Sequence, residues 1–333
     1  MFKKIEDISI EKRYMRNAII EITNKCNWKC KHCYLEGREE SILPTEKIYD
    51  IFIQLRKLGV YQLTLTGGEI FTRKDIFDII EKARSMGFKL NLFSNASLLN
   101  QTIVNKLVGY NINSFSSTIF SMEEKIHDEI TRTKGSLRKA LFNLNMLKES
   151  NISVEIKTCI LKDNYKNFID VYKFAIEDGY NYRIDYDIVP QVKRKFWQNE
   201  CRLGKDEFKQ VLKVLDGLKE KKFVLPNLNE LLCSECRNSI VIDSKGNVKP
   251  CIKYQYVVGN IFDSDIFDIW NNSSKLNSIQ NIKWKDLDEC EKCNNRKYCH
   301  RCPLTNFDDN GIILNNRKNI ECELANIRSE IYD

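Results

Sequence analysis

The sequence lacks the features of a membrane or secreted protein. No stretch approaches the roughly 18 apolar residues that a membrane span requires. The first residues, MFKKIEDISIEKRYMRN, mix both signs of charge and contain no apolar segment of the kind found in signal peptides. We therefore expect a cytoplasmic protein that has no membrane partner, in a compartment where thiols stay reduced.

A large net charge and internal repeats are absent as well. The 53 lysines and arginines exceed the 46 acidic residues by an amount that gives a net charge of +7. This excess is too small to predict binding to nucleic acid. With 42% hydrophobic and 30% charged residues, the composition is typical of a globular protein. The 333 residues can form one large domain or two ordinary ones.

Cysteine, by contrast, is abundant, with 13 residues in the chain. In a reducing compartment, this number favours metal binding or redox chemistry over a framework of disulfides. Three cysteines lie within the stretch CNWKCKHC at 26–33, and eight lie between residues 233 and 322. Cys159 and Cys201 are isolated. The clustering indicates two separate regions of metal chemistry.

Short β-branched runs alternate with helical patterns from residue 18 to about residue 190. The strand candidates are 18–23, 61–66, 88–93, 111–117, 153–160 and 182–189, and the helix candidates are 45–59, 73–87, 100–108, 136–149 and 164–179. This alternation predicts an α/β fold with a parallel sheet, wound as a barrel or as an open sheet. In both architectures, sites lie at the carboxyl ends of the strands. CNWKCKHC and TGGE (66–69) follow the first two strands there.

The pattern changes after Pro190. A basic stretch at 192–197 precedes a helical segment at about 205–220, and a cysteine-rich region follows. Within that region, SIVIDSKGNVKPC (239–251) predicts two strands joined by a glycine turn. We place a domain boundary after residue 225, so that 1–225 forms the core domain and 226–333 the cysteine-rich domain.

The three cysteines of CNWKCKHC form an incomplete ligand set. Two thiols suit a redox pair, and four close a tetrahedral metal site. A four-iron cluster held by Cys26, Cys30 and Cys33 leaves one iron open to an external ligand, which gives a reason for three thiols. Zinc bound by these cysteines and by the nearby His32 is the alternative.

This C-x3-C-x2-C spacing, on the loop after the first strand, resembles the signature of the radical S-adenosylmethionine (SAM) enzymes. The resemblance implies a partial (β/α)6 barrel in which SAM chelates the open iron through its amino and carboxylate groups. An electron from the cluster then cleaves SAM to methionine and a 5′-deoxyadenosyl radical, which abstracts hydrogen from the substrate. It also implies an electron donor such as flavodoxin or ferredoxin.

Other segments resemble the parts of that family that contact SAM. They are the position before the third cysteine, which is usually aromatic and lies by the adenine, the glycine-rich segment that meets the amino group, and the ends of the third and fourth strands. The corresponding residues are His32, Gly67, Gly68, Glu69, Asn95 and Thr118. A tight turn at TGGE and a structural role for Thr118 are the alternative interpretations.

The eight C-terminal cysteines are spaced as in zinc ribbons and as in iron–sulfur sites, and spacing alone does not separate the two. Next to a radical SAM core, they resemble the SPASM extension, which carries two auxiliary four-iron clusters. That resemblance implies one cluster on Cys233, Cys236, Cys251 and Cys302, and a second on Cys290, Cys293, Cys299 and Cys322. The chain is thus expected to hold three 4Fe–4S clusters, and full cysteine ligation leaves neither auxiliary cluster open to substrate.

The spacing of Cys299 and Cys302, one residue shorter than the common pattern, resembles a variant in peptide-modifying members. We therefore expect a maturase that crosslinks or otherwise modifies a ribosomally made precursor peptide. Because only 25 residues precede Cys26, we expect recognition by the core itself or by a separate leader-peptide-binding protein. Ile252 stands where sulfatase-maturing enzymes have an acidic residue, which argues against formylglycine formation. A SPASM dehydrogenase or epimerase of a small metabolite such as an aminocyclitol, and a zinc-stabilised binding protein without catalysis, are the alternatives.

A few further residues are candidates for function but also have ordinary structural interpretations. Two alternate carboxylates near the end of the sixth strand can serve as acid–base groups, a cysteine at the end of the fifth strand can trap a radical, and the basic stretch can contact an acidic peptide. The structural alternatives are solvated carboxylates, a buried inert cysteine and a solvated surface. The residues concerned are Asp185, Asp187, Cys159, Lys193, Arg194, Lys195, Phe196 and Trp197.

Overall fold

The computed structural model describes residues 2–35, 40–186, 200–218, 220–253, 256–306 and 320–333. Strands and helices alternate in the first part of the chain, as the sequence predicts. The strands are β1 (Asn17–Thr23), β2 (Gln62–Gly67), β3 (Lys89–Phe93), β4 (Ser114–Thr118), β5 (Val154–Cys159) and β6 (Asn181–Asp185). The helices are α1 (Phe2–Lys12), α2 (Thr45–Lys57), α3 (Ile76–Ser85), α4 (Gln101–Gly109), α5 (Glu124–Thr131), α6 (Ser136–Glu149) and α7 (Phe168–Glu177).

The six strands are parallel and lie in the order of the sequence, from β1 to β6. A sheet whose strand order never reverses has no switch point of the doubly wound kind. This order decides between the two predicted windings and confirms the partial (β/α)6 barrel. The helices cover the sheet with apolar faces: α2, for example, buries Ile48, Ile51, Phe52 and Leu55 at helical spacing. None of the helices in the described ranges has the length and apolar character of a membrane span.

In the first part of the chain, two helices were not predicted and one strand begins later than predicted. Neither α1 nor α5 was predicted, because each lies in a segment dominated by charged residues. Arg237 donates to the carbonyl oxygen of Ile10 at 2.8 Å, so α1 ends against the cysteine-rich region. The fourth strand begins at Ser114 instead of 111, because Asn111 has a φ of 49° and belongs to the preceding turn.

The cysteine-rich region continues the same sheet. Strand β7 (Ser239–Ile242) pairs in parallel with the free side of β1, and β8 (Asn247–Lys249) and β9 (Gly259–Asn260) follow as antiparallel strands. The predicted hairpin is confirmed, whereas its pairing with β1 was not foreseen. The remaining helices are α8 (Lys205–Leu218), α9 (Ile266–Asn272), α10 (Ser274–Asn281), α11 (Asp288–Glu291) and α12 (Ile320–Tyr332).

One apolar core extends across the proposed domain boundary. Met15 and Ala18 belong to the same buried cluster as Ile240, Val248 and Leu276. The boundary after residue 225 therefore stays a prediction about sequence organisation, since the described core is shared by both parts.

Helix α12 packs on α8 and returns the end of the described chain to the core domain. The guanidinium of Arg328 donates to both carboxylate oxygens of Asp216, at 2.8 and 3.0 Å, and both side chains are buried. Leu324 and Ile327 share an apolar cluster with Phe208. These contacts fix the helix that carries Cys322.

A buried ion pair joins the first strand to the cysteine-rich hairpin. The ammonium of Lys249, which is fully buried, lies 3.3 Å from the carboxylate of Glu21 on β1 and 3.7 Å from that of Asp243. Glu21 also accepts a hydrogen bond of 2.5 Å from the hydroxyl of Tyr34. One carboxylate thus holds both the loop after β1 and the strand that leads to Cys251.

We expect Lys249→Met to lower the free energy of unfolding by about 3–5 kcal/mol, because it leaves two buried carboxylates without their cation. Denaturant unfolding of anaerobically reconstituted protein, followed by circular dichroism, measures the loss. The control is Arg138→Met, which breaks an exposed pair with Glu124 at 3.0 Å and should change stability by about 1 kcal/mol or less. Equal effects of the two substitutions contradict the structural role of the buried pair.

Candidate active site

A cavity of about 370 Å³ lies at the carboxyl ends of the parallel strands. Residues at or just after the ends of β1 to β6 contribute to its lining, as expected for a barrel site. The three thiols of CNWKCKHC line it together with five of the six predicted SAM contacts. The lining residues predicted from the sequence are Cys26, Cys30, Cys33, His32, Gly67, Gly68, Asn95 and Thr118. Their roles as ligands stay predictions, but the structure places all of them around one space.

The cysteine loop is held by α5. The backbone amides of Lys29 and Lys31 donate to the carbonyl oxygens of Thr131 and Ile130, at 3.3 and 2.9 Å. The buried ring of Trp28 stands edge-on to His127, with centroids 5.9 Å apart. Burial lowers the pKa of His127 to about 4, so its ring is neutral near pH 7, and its Nδ1 atom lies 3.0 Å from the hydroxyl of Ser136. A helix that the sequence did not predict therefore positions the thiols.

The thiol of Cys26 is protonated in the absence of metal. Burial raises its pKa to about 11, although the Trp28 amide donates to the sulfur at 3.4 Å. The side-chain amide of Asn95 lies 3.8 Å from the same sulfur and is oriented by Asn27 and Ser97. Coordination to iron supplies the positive charge that ionises such a thiol.

In the part of the chain that the structure describes, no three Cys, His, Asp or Glu side chains converge closely enough for one metal ion.

Gly67 and Gly68 let the TGGE segment cross the end of β1. A Cβ atom at Gly67, where φ is 140°, would lie 2.0 Å from the carbonyl oxygen of Thr23, and one at Gly68 would lie 2.3 Å from that of Lys25. The amides of Gly68 and Glu69 donate to these two oxygens at 2.9 and 2.8 Å. The sequence predicted that these small residues allow the backbone to approach a ligand closely. The structure shows that they are also required where the TGGE segment packs against the end of β1 and the residues that follow it.

Glu69 is buried and is not among the residues that line the cavity. Its carboxylate accepts hydrogen bonds from the hydroxyl of Ser94 at 2.9 Å, the amide of Asn95 at 2.8 Å and the amide of Phe71 at 3.0 Å. Burial raises its pKa to about 6, against these donors. The carboxylate therefore ties the TGGE segment to the end of β3, and its contact with the SAM amino group stays a prediction.

His32 has the environment of an apolar aromatic residue. Its ring packs edge-on against Phe120, with centroids 5.0 Å apart, and burial lowers its pKa to about 4. Its Nδ1 atom has no hydrogen-bond partner among the described residues. A neutral, half-buried ring on the cavity wall fits the position that the resemblance assigns beside the adenine.

The cavity also contains charged groups, of which only Asp185 was predicted. Lys157 on β5 lies 3.6 Å from Glu155, and its ammonium is 2.9 Å from the ring centre of Phe93. Arg183 and Asp185 on β6 line the same space. Apolar and polar residues alternate in the first four positions of VEIKTC, and alternate residues of a strand share one face. This pattern could have predicted that Glu155 and Lys157 lie on the same face of β5. Asp187 and the basic stretch at 192–197 lie outside the described residues.

Ile252, which directly follows Cys251, lines the cavity as well. The cysteine-rich region thus contributes one wall of the space that holds the amino-terminal thiols. At this position the wall is apolar and offers no group that can accept a proton.

A second cavity, of about 350 Å³, lies among the C-terminal cysteines and is lined by Cys233, Cys299 and Arg301. Burial raises the pKa of the Cys299 thiol to about 12 and also raises that of Cys302. Cys293 is exposed, while Cys236 is buried and the other C-terminal cysteines have intermediate exposure. The division of these thiols into two ligand sets stays a prediction.

Cys159 and Cys201, which the sequence leaves isolated, come together in space. Both belong to or pack against a small apolar cluster that includes Phe120 and Leu161 and that Cys30 also contacts. Neither lines the cavity. Cys201 is buried and Cys159 is partly exposed, and both contact apolar side chains.

Two family models match the chain. The model of the radical SAM superfamily matches residues 20–175, which contain the amino-terminal thiols and strands β2 to β5. The model of the SPASM iron–sulfur cluster-binding domain matches residues 233–303, which contain seven of the eight C-terminal cysteines. Cys322 lies beyond that match.

Curated proteins match over most of the chain. It is 26% identical over 325 residues to AlbA, the antilisterial bacteriocin subtilosin biosynthesis protein of Bacillus subtilis, covering 91% of this chain and 70% of AlbA. It is 23% identical to the PqqA peptide cyclase of Bradyrhizobium diazoefficiens, covering 84% and 79%. The identity is also 23% with the AdoMet-dependent heme synthase of Methanosarcina barkeri, covering 85% and 89%.

Solved structures share the fold. Streptococcus suis SuiB bound to its precursor peptide SuiA has a TM-score of 0.69 and 18% identity, over 90% of this chain and 75% of that one. The structure of anSMEcpe with AdoMet and the Cp18Cys peptide has a TM-score of 0.71 and 16% identity, over 96% of both chains. Both likenesses support the observed architecture.

We expect Gly68→Ala to lower both the iron content and the unfolding midpoint, because the new Cβ atom cannot lie 2.3 Å from the Lys25 oxygen without moving the cysteine loop. Iron assay and denaturant unfolding after anaerobic reconstitution measure the two effects. The control is Gly109→Ala at the end of α4, where nothing lies within 4 Å. It should be neutral or stabilise by about 0.5–1 kcal/mol. Full iron content and an unchanged midpoint for Gly68→Ala contradict the expectation.

Proposed function

We propose that this chain, which belongs to the radical SAM enzymes and carries a C-terminal SPASM domain, oxidatively crosslinks or otherwise modifies a ribosomally synthesised precursor peptide. Cys26, Cys30 and Cys33 would hold the cluster that binds SAM. When bound, these cofactors would supply the 5′-deoxyadenosyl radical that abstracts hydrogen from the peptide. Asn95 and Thr118 would line the nucleotide, and the buried Glu69 would hold the segment that positions it.

The observation that supports a peptide substrate is the open side of the cavity. Arg183 and Asp185 line the cavity, yet 58% and 53% of their side-chain surfaces are exposed. They lie on β6, which is the last strand on that side of the sheet within the described ranges. The cavity therefore reaches solvent at the edge of the sheet, where an extended chain can enter. The similarity to AlbA, the PqqA peptide cyclase and SuiB with its bound peptide supports this proposal.

Crosslinking two peptide positions removes two hydrogens. One leaves as the abstracted hydrogen atom, and the other leaves as a proton and an electron. The electron would pass to an auxiliary cluster, and the proton needs an acceptor in the cavity. Ile252 cannot take this proton, so among the described lining residues the ionisable groups on the facing strands are the candidates.

Lys157 is the group that best fits this role. Burial lowers its pKa to about 7, and the nearby charge of Arg183 acts in the same direction. Glu155 and Asp185 oppose this shift without reversing it. The neutral amine is therefore available near pH 7, whereas an ordinary lysine is almost fully protonated there. We propose Lys157 as the proton acceptor and Asp185 as a second, solvent-facing group.

A SPASM enzyme of a small metabolite is the second candidate function. The heme synthase relative favours it, because this chain covers 89% of that protein but only 70% of AlbA. The zinc-stabilised binding protein is not supported, since the matched domains are those of radical SAM enzymes and of iron–sulfur cluster binding.

The proposal includes three further points. The one-electron reductant would be a flavodoxin or ferredoxin. A separate leader-peptide-binding protein would assist substrate recognition wherever the core alone does not bind the precursor. The cytoplasm would be the location, because the thiols that bind iron must stay reduced.

Incubation of the reduced, reconstituted enzyme with SAM and a precursor peptide encoded beside its gene should yield a peptide that has lost two hydrogens per crosslink. High-resolution mass spectrometry with fragmentation measures the change. The matched control is the Cys30→Ala enzyme, which lacks one ligand of the open cluster and should leave the peptide unchanged.

The alternatives give different results in the same assay. An unchanged mass with deuterium gained from D₂O indicates epimerisation. Turnover of a free amine or sugar, with no change in any encoded peptide, contradicts the peptide proposal and favours the small-metabolite enzyme.

We expect the yield of modified peptide per 5′-deoxyadenosine to fall as the pH drops through about 7, because the ammonium form of Lys157 that then predominates cannot accept a proton. Lys157→Met should lower this yield by about 10²-fold at pH 7.5 and should remove the pH dependence. Single-turnover quantification of peptide and 5′-deoxyadenosine measures both.

The control for Lys157 is Lys173→Met on α7, since Lys173 is exposed and pairs with Asp170 at 3.8 Å. It should leave the yield and its pH dependence unchanged. A Lys157→Met enzyme that keeps the full pH dependence assigns the proton transfer to another group, such as Asp185.

A further inference from the structure

Arg301 places a positive charge among the C-terminal cysteines. It lies between Cys299 and Cys302 in the segment CHRCP, and only 3% of the residue is exposed. Its Nη1 atom donates to the sulfur of Cys322 at 3.2 Å. The guanidinium therefore reaches from the CHRCP loop to the first turn of α12.

The charge of Arg301 acts on other thiols of the same predicted ligand set. It interacts electrostatically with Cys290 and Cys299, in addition to its hydrogen bond with Cys322. Three of the four thiols assigned to the second auxiliary cluster are thus near this cation. In the first set, the backbone amide of Lys253 donates to the sulfur of Cys251 at 3.4 Å. The charges of Lys253 and Arg13 act on Cys251 and Cys236, but Lys253 is exposed and Arg13 is half-buried, so water screens both charges more than that of Arg301.

A buried carboxylate lies in the same region. Glu321 precedes Cys322 in the chain, and its charge acts on Cys299 and Cys302. It opposes the cation near Cys299, but a carboxylate cannot donate a hydrogen bond to sulfur. Its effect is shared between the two predicted ligand sets, whereas the hydrogen bond from Arg301 is directed to one set.

The reduction potential of an iron–sulfur cluster depends on its net charge, on hydrogen bonds to its sulfurs and on its exposure to solvent. Reduction adds one negative charge to the cluster. A buried cation that also donates to a ligand sulfur stabilises the reduced form, and the low dielectric of the interior strengthens the effect.

We propose that Arg301 raises the reduction potential of the auxiliary cluster bound by Cys290, Cys293, Cys299 and Cys322, and so makes it the preferred electron acceptor of the two auxiliary clusters. The step is the transfer of one electron to the cluster, without proton transfer or bond formation. The inference rests on the two ligand sets that the SPASM domain implies and on no property of the peptide substrate.

The experiment uses the full chain with Cys26, Cys30 and Cys33 replaced by alanine, so that the two auxiliary clusters remain. Iron and sulfide of about eight each per chain show that both are present. Potentiometric reduction with dithionite, followed by electron paramagnetic resonance, gives two midpoint potentials. Arg301→Met, Arg301→Gln and Arg301→Lys are compared in this background.

We expect Arg301→Met to lower the equilibrium constant for reduction of one cluster at least tenfold, which shifts its midpoint potential by about 59 mV for a one-electron couple. The equilibrium constant for reduction of the other cluster should change less than threefold. Arg301→Lys, which keeps the charge, should restore more than half of the shift. The matched control is Lys292→Met: this exposed lysine lies between Cys290 and Cys293 in sequence, so water screens its charge and neither midpoint should move threefold.

Several results overturn the proposal. They are an unchanged pair of midpoints in Arg301→Met, equal shifts of both midpoints, or a control shift as large as that of Arg301→Met. If Arg301→Met loses iron, Arg301→Gln, which keeps side-chain bulk without charge, is judged by the same criteria. A chain that binds a single auxiliary cluster also overturns it. The peptide assay above is independent, so either proposal can fail alone.

Discussion

The buried pair of Lys249 and Glu21 is the interaction on which the relation between the two cysteine regions depends. Glu21 lies on the strand that precedes the CNWKCKHC loop, and Lys249 lies two residues before Cys251. Because Tyr34 donates to the same carboxylate, the loop and the hairpin share one fixed point in the core. This geometry brings Ile252 into the wall of the candidate active site, so the cysteine-rich region shapes that site.

Around that fixed point, the site is built from contacts between backbone segments. The glycines of TGGE cross the end of β1, Glu69 ties this crossing to the end of β3, and α5 holds the loop from the other side. Together, these contacts hold the three thiols at the carboxyl ends of the barrel strands. The protein therefore forms much of the cavity wall from its own chain, and the cofactors would complete it.

The parts of this structure that the sequence predicts are those encoded by local patterns. The six strands of the core, five of the six helices between them and the cysteine trio follow from periodicity and from the few residue types that can bind iron. The pairing of β7 with β1 does not, because the run SIVI carries no information about its neighbour. Likewise, Lys249 and Glu21 are 228 positions apart, and nothing in either segment indicates the other. Lys157 lay within reach of prediction, since its strand alternates between polar and apolar residues. The unpredicted α1 and α5 are stabilised by tertiary contacts that outweigh their charged composition.

The position of Cys322 on α12 imposes an order on maturation. Synthesis delivers the amino-terminal trio first, then Cys302, which is the last thiol predicted for the first auxiliary set, and only afterwards the helix that bears Cys322 and docks on α8. The four thiols predicted to hold the second auxiliary cluster cannot come together until that helix has left the ribosome and folded back. Metal binding by this predicted set therefore requires synthesis of α12, and truncation upstream of the helix would remove one predicted ligand together with the packing against α8.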